Sequence, residues 1–102
     1  MDDEKLLQHL GVTPNYKGFY YLLAALEILR SHPDSLSLVT KWLYPDIAKK
    51  YQTSWKSVER NLRTTVRLAW DNNPIFLQAL AGFPLKGRPT VTVFLAILLK
   101  AS

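Results

Sequence analysis

Apolar residues recur at helical spacing along most of this chain, and a few turn residues divide the pattern into short segments. Asp2 to Leu10 reads as a short helix: Leu6, Leu7 and Leu10 share one side, acidic residues fill the first turn where they favour the macrodipole, and Gly11 is the stop. Thr13-Pro14-Asn15 is a turn. From Tyr16 to Ser31 the apolar positions are dense and helix-spaced (Tyr20, Leu23, Ala24, Leu26, Leu29), with Pro33 just beyond. That predicts a buried helix in which Gly18 marks close packing.

Asp34 to Leu43, with Asp34 as a possible cap and apolar residues at Leu36, Leu38, Val39, Trp42 and Leu43, reads as a short helix. Pro45 fits the first position of the next, running to Tyr51, because its missing N–H is unpaired there anyway. Ser54 can cap a longer helix from Trp55 to Asp71, ended by Asn72-Asn73-Pro74. Ile75 to Phe83 is a short apolar helix closed by Gly82 and Pro84, and Leu85 to Pro89 is a loop. Thr90 to Ala101 admits two readings, since Val91, Val93 and Phe94 suit a strand while Leu95, Ala96, Leu98 and Leu99 suit a helix capped by Thr90. Helix is preferred, because no second strong strand signal exists to pair with it. The chain reads as all-α.

Within Ile47 to Val58 the spacing is that of a helix-turn-helix. Ile47 and Tyr51 face the core, Ala48 is small where two helices cross, and Val58 returns to the core after a polar turn capped by Ser54. Gln52 stands where such turns often need a glycine with positive φ. The second helix divides into two faces: Val58, Leu62, Val66, Ala69 and Trp70 are expected inside, and Lys56, Arg60, Arg63 and Arg67 outside, at intervals of 4, 3 and 4 residues. A major groove admits such a helix, where Arg can meet guanine O6 and N7 with two parallel hydrogen bonds and Lys can neutralise phosphate. Glu59 interrupts the cations, as an acceptor for cytosine N4 or as an i,i+4 partner that orients Arg63. Trp55 packs either on a backbone sugar or a partner domain, or as an exposed or half-buried staple against the core.

Charge supports this reading. The formal net charge is +5, and residues 41–70 alone hold seven cations against Asp46 and Glu59, so that segment carries the whole excess. Such clustering is the footprint of a polyanion, with a membrane surface as the competing partner. At 102 residues and 48% hydrophobic content, the chain has room for one domain with one core. Absence of cysteine removes disulfides and thiolate metal sites. The acidic start does not resemble a signal peptide, and the longest apolar run, Val91 to Leu99, is about half of a membrane span. A cytoplasmic location is expected, without membrane attachment.

The run Leu43-Tyr44-Pro45-Asp46-Ile47-Ala48-Lys49-Lys50, then Tyr51, Val58-Glu59-Arg60 and Ala69-Trp70, resembles the DNA-binding effector domain of the master sporulation response regulator of endospore-forming bacteria. Weaker matches at Gly11-Val12, Lys17-Gly18 and Pro89-Thr90 extend the similarity over nearly the whole chain. The resemblance implies a compact bundle of about six helices with a helix-turn-helix, whose recognition helix enters the major groove of a promoter box. Double-stranded DNA is then the partner, bound as a homodimer or as tandem copies on repeated boxes, with no cofactor. Glu59 and Arg60 match the family's base-reading pair, and Arg63 matches a family Arg. Ser57 and Thr64 depart from it, standing where the family has Arg and His, so the family's box is not carried over. Family members also carry a phosphoacceptor receiver domain that these residues do not contain. A fragment and a stand-alone effector both fit, and phosphorylation control within the chain is not expected.

The candidate base-reading residues are thus Lys56, Ser57, Glu59, Arg60 and Arg63. Candidate phosphate contacts are Lys49, Lys50, Thr53, Ser54, Trp55, Thr64 and Arg67. An enzyme is not expected: His9 and His32 lack patterned partners, and neither a phosphate-cradling loop nor metal-ligand spacing occurs. No small-molecule substrate is expected either. Two alternatives stand beside DNA binding: a protein-interaction module using the C-terminal helix or exposed Tyr16, Phe19 and Tyr20, and, at fold level, a winged helix with Leu85 to Arg88 turning a hairpin.

Overall fold

In a computed structural model describing residues 2–102, six α-helices follow one another: α1 (Asp3–His9), α2 (Lys17–Ser31), α3 (Tyr44–Lys50), α4 (Trp55–Asn72), α5 (Pro74–Ala81) and α6 (Val91–Ala101). Most starts are fixed by side chains that accept a free amide of the first turn. Asp2 accepts from the Lys5 N–H at 2.8 Å, Ser54 from Ser57 at 3.1 Å, Asn73 from Phe76 at 3.3 Å and Thr90 from Val93 at 3.2 Å. Gly11 and Gly82 stop α1 and α5 in the left-handed region, at φ +87° and +72°. The C-terminal segment is helical, and no strand forms among the described residues, so the hairpin of a winged helix is absent there.

α2 packs most extensively on α4, and α3 lies against the first part of α4. One apolar core joins these helices: Phe19, Leu22, Leu26 and Leu29 of α2 meet Val58, Leu62, Val66 and Ala69 of α4, with Phe94, Leu95 and Leu98 of α6 closing it. Full burial of each large side chain contributes about 1.5–3 kcal/mol, so the α4 face alone holds that helix firmly. Gly18 is required where α2 meets α4, because a Cβ there would stand 2.3 Å from Thr65 Cγ2 and 2.7 Å from the Asn61 carbonyl oxygen.

The stretch expected as one helix from Asp34 to Leu43 is instead two tighter and wider turns. Pro33–Leu38 is a 3₁₀ turn, and Val39–Leu43 is a π turn in which the Tyr44 N–H donates to the Val39 carbonyl. Leu38, with φ −138°, breaks the helix between them. Leu43 is buried, but Leu38 and Trp42 are each 50% exposed, because neither turn keeps the 3.6-residue period that would place them inside. α3 has no cap of its own and continues directly from the wide turn, so Pro45 is its second residue rather than its first.

Other boundaries and faces are corrected by packing. Asn72 completes α4, Asn73 caps α5, and α5 ends at Ala81, before Phe83. In α2 the buried stripe runs through Phe19 and leaves Tyr20 exposed, so Phe19 is unavailable to a partner. Trp70 is only half-buried. Tyr51 is 38% exposed; its ring packs at the edge of the core, 5.2 Å from that of Tyr21.

Candidate nucleic-acid interface

α3 and α4 are joined by a turn over residues 51–54, and the turn's backbone explains its sequence. Gln52 takes φ +53°, a conformation glycine adopts at less cost, and Thr53 then donates its N–H to the Ala48 carbonyl at 2.9 Å. Ser54 follows in extended backbone and caps α4. The turn thereby closes one helix and opens the next with few unpaired backbone groups.

α4 is strongly two-faced. Val58, Leu62, Thr65, Val66 and Ala69 are buried; Lys56, Arg60, Arg63 and Arg67 are exposed. The buried Thr65 hydroxyl donates back to Leu62 O at 2.6 Å, so the apolar side includes no unpartnered polar group. Lys56 to Arg67 spans about 16 Å along the axis, a row of cations longer than a major groove is wide.

Glu59 is half-buried within this row and lies 3.6 Å from the more exposed Arg63 guanidinium, the i,i+4 pairing considered from the sequence. Such an exposed pair contributes little stability but biases the Arg63 rotamer. Ser57 is occupied locally: its N–H donates to the Ser54 cap, and its carbonyl accepts from Asn61 at 2.8 Å. Thr64 bonds back to Arg60 O at 3.1 Å. Trp55 is 39% exposed at the helix start, with Lys56 Nζ 5.8 Å from its ring, an exposure that fits a half-buried staple and also leaves ring surface for a partner. Lys49 and Lys50 are exposed in the last turn of α3, and Lys50 Nζ lies 5.8 Å from the Tyr51 ring.

The candidates separate into two groups. Glu59, Arg60, Arg63, Thr64 and Arg67 line an open cleft of about 680 Å³. Lys49, Lys50, Thr53, Ser54, Trp55, Lys56 and Ser57 do not line it; they belong to the α3–α4 turn and the helix ends beside it. Thr40, Tyr44 and Arg88 to Thr92 line the same cleft and were not among the residues expected at the site. Burial pushes the Tyr44 phenol above its ordinary pKa, the nearby Glu59 carboxylate adds to the shift and Arg63 opposes it, so this hydroxyl stays protonated and able to donate. Arg88-Pro89-Thr90 carried a faint signal, a cation next to a proline-fixed helix cap. Nothing local in the sequence says that it faces α4.

An all-helical bundle whose longest helix buries one face and aligns cations along the other defines a domain of the polyanion-binding class. Residues 4–101 match the family described as sporulation initiation factor Spo0A C terminal, from the second residue of α1 to the last of α6. The chain belongs to this family, whose members are DNA-binding domains of a transcription factor.

Proposed function

We propose that the chain acts as a single domain that binds duplex DNA sequence-specifically and regulates transcription, with α3, the 51–54 turn and α4 serving as a helix-turn-helix. α4 enters the major groove. Lys56, Ser57, Glu59, Arg60 and Arg63 read bases, and Lys49, Lys50, Thr53, Ser54, Trp55, Thr64 and Arg67 hold phosphates. The observation that supports this most is the exposed row Lys56, Arg60, Arg63 and Arg67, set on a helix whose other face is fixed in the core. A helix anchored in this way presents its guanidiniums with little further ordering on binding. The 3.6 Å approach of Glu59 to Arg63 favours orientation of that guanidinium as one of its roles. Such a domain works in the cytoplasm at the nucleoid, as a homodimer or as tandem copies on repeated boxes.

Selection of bound duplexes from a random pool tests the reading and also reports half-site spacing. Arg60→Ala should relax preference at one base position and cost roughly 1–3 kcal/mol, whereas Lys49→Ala should weaken selected and random duplexes alike and flatten the salt dependence. Equal effects of both substitutions on both duplexes would remove Arg60 from base reading. Absence of any duplex binding at low salt would overturn the whole proposal.

A further inference from the structure

We propose that Arg88 is an additional DNA contact, holding a backbone phosphate of the strand that flanks the groove entered by α4. This rests on the DNA-binding reading above and extends it to a segment outside the helix-turn-helix. Arg88 lines the same cleft as Arg60, Arg63 and Arg67, and among the described residues the one carboxylate lining it is Glu59, already within 3.6 Å of Arg63. Four arginines with a single carboxylate along one open space give it a positive potential that favours an anion. Arg88 is exposed and makes no ion pair or side-chain hydrogen bond among the described residues, so nothing in the fold uses its charge.

Its position is nevertheless built. The Gln78 side chain braces the loop from both directions, donating to the Phe83 carbonyl and accepting from the Leu85 N–H at 2.8 Å. Leu85 packs against the core, Pro89 restricts the backbone beside Arg88, and Thr90 caps α6, whose first residue Val91 is buried. A cation carried on such a segment is ordered during folding, and binding adds only the side-chain cost. The cleft is open and includes four arginines in its lining, which suits a polyanion. Arg88 lines the same cleft as the reading row but belongs to a different segment of the chain, which suits a contact beside the groove, where phosphates are.

The test compares the wild-type chain, Arg88→Ala, Arg88→Lys and Arg60→Ala on a duplex chosen by selection and on a random duplex, titrated across salt. Arg88→Ala should weaken both duplexes by the same factor, and the gap from wild type should shrink about 3-fold between about 50 and about 200 mM salt, as loss of one phosphate contact requires. Arg88→Lys should retain the wild-type salt slope, and thermal unfolding should be unchanged in both. Phosphate ethylation interference should lose one position at the edge of the protected site in Arg88→Ala. Wild-type affinity and slope in Arg88→Ala, alongside a loss in Arg60→Ala, would overturn the Arg88 contact while leaving DNA binding intact. A change in base preference at one position would make Arg88 a base reader and overturn the phosphate assignment. Failure of the wild-type chain to bind either duplex would instead overturn the underlying DNA-binding reading.

Discussion

Gly18→Ala probes how closely α2 meets the helix that carries the cations. The new Cβ would lie 2.3 Å from Thr65 Cγ2 and 2.7 Å from the Asn61 carbonyl oxygen, both inside the 3.0 Å that real Cβ atoms essentially never breach. Neither neighbour can give way easily. Thr65 is fully buried with its hydroxyl bonded to Leu62 O, and the Asn61 oxygen belongs to the α4 backbone. Against this stands the helical advantage of Ala over Gly, at most about 1 kcal/mol and smaller here because Gly18 is the second residue of α2. Overpacking costs about 1–3 kcal/mol, so a net loss of about 1–2 kcal/mol is expected. For a chain of this size that lowers the melting temperature by roughly 5–15 °C. Thermal unfolding followed by circular dichroism measures it, and Thr65→Ser in a double-mutant cycle removes the nearer of the two clashes. The pair should show a coupling of about 0.5–1 kcal/mol, with the remainder left by the Asn61 oxygen. A Gly18→Ala chain that melts at or above wild type would refute the close approach.

Gln52→Gly should raise stability by about 0.5–1 kcal/mol, since relief of a left-handed non-glycine backbone of about 1–2 kcal/mol exceeds the added freedom of the unfolded chain. A lower denaturation midpoint would mean that the Gln52 side chain contributes something its exposed position does not reveal. Arg30 donates two hydrogen bonds to Asp3, at 2.7 and 2.8 Å, and holds that carboxyl below its ordinary pKa of 3.8. Because the folded pKa is the lower one, this stabilisation is complete above the ordinary value and disappears as pH falls through the depressed one. With Arg30 44% exposed, Asp3→Asn should cost only about 0.5–1 kcal/mol at pH 7 and progressively less as the pH is brought below 3.8. Urea unfolding at pH 7 and at a series of pH values below 3.8 checks this, and a gap that does not narrow would remove the charge as its cause.

Parts of this fold are legible in the sequence where one local rule decides. Ser54 and Thr90 cap because a hydroxyl just before a helical pattern can reach the free amides, and α4 separates its faces because the 3.6-residue period repeats long enough to be read. Gly18 and Gln52 also announced their constraints, one of space and one of backbone angle. Leu38 and Trp42 were misplaced because apolar character was taken for burial, whereas changes of helical pitch put them outside; Phe19, offered as exposed with Tyr20, is buried because the packing direction of α2 turns it inward. Arg88 was missed for another reason. It belongs to a short irregular loop, and its relation to Arg60, Arg63 and Arg67 exists only after α6 and α4 have packed in the same core. The apolar pattern can predict that packing but not which loop residue ends beside which helix.

The wide turn at Val39–Leu43 works as a phase adjuster between two rigid pieces of the bundle. It closes its hydrogen-bonded ring over one more residue than an α-helix would, and that surplus rotates the chain before it relative to α3, whose own i,i+4 spacing turns Leu43 and Ile47 inward together. Deleting one residue there would rotate the preceding chain by about 100° relative to α3 and set the buried Ser35 and Leu43 out of register. The segment therefore contributes length more than chemistry: substitutions on its outer side should be absorbed, while a single insertion or deletion should turn α3 on its axis and re-aim the helix it supports.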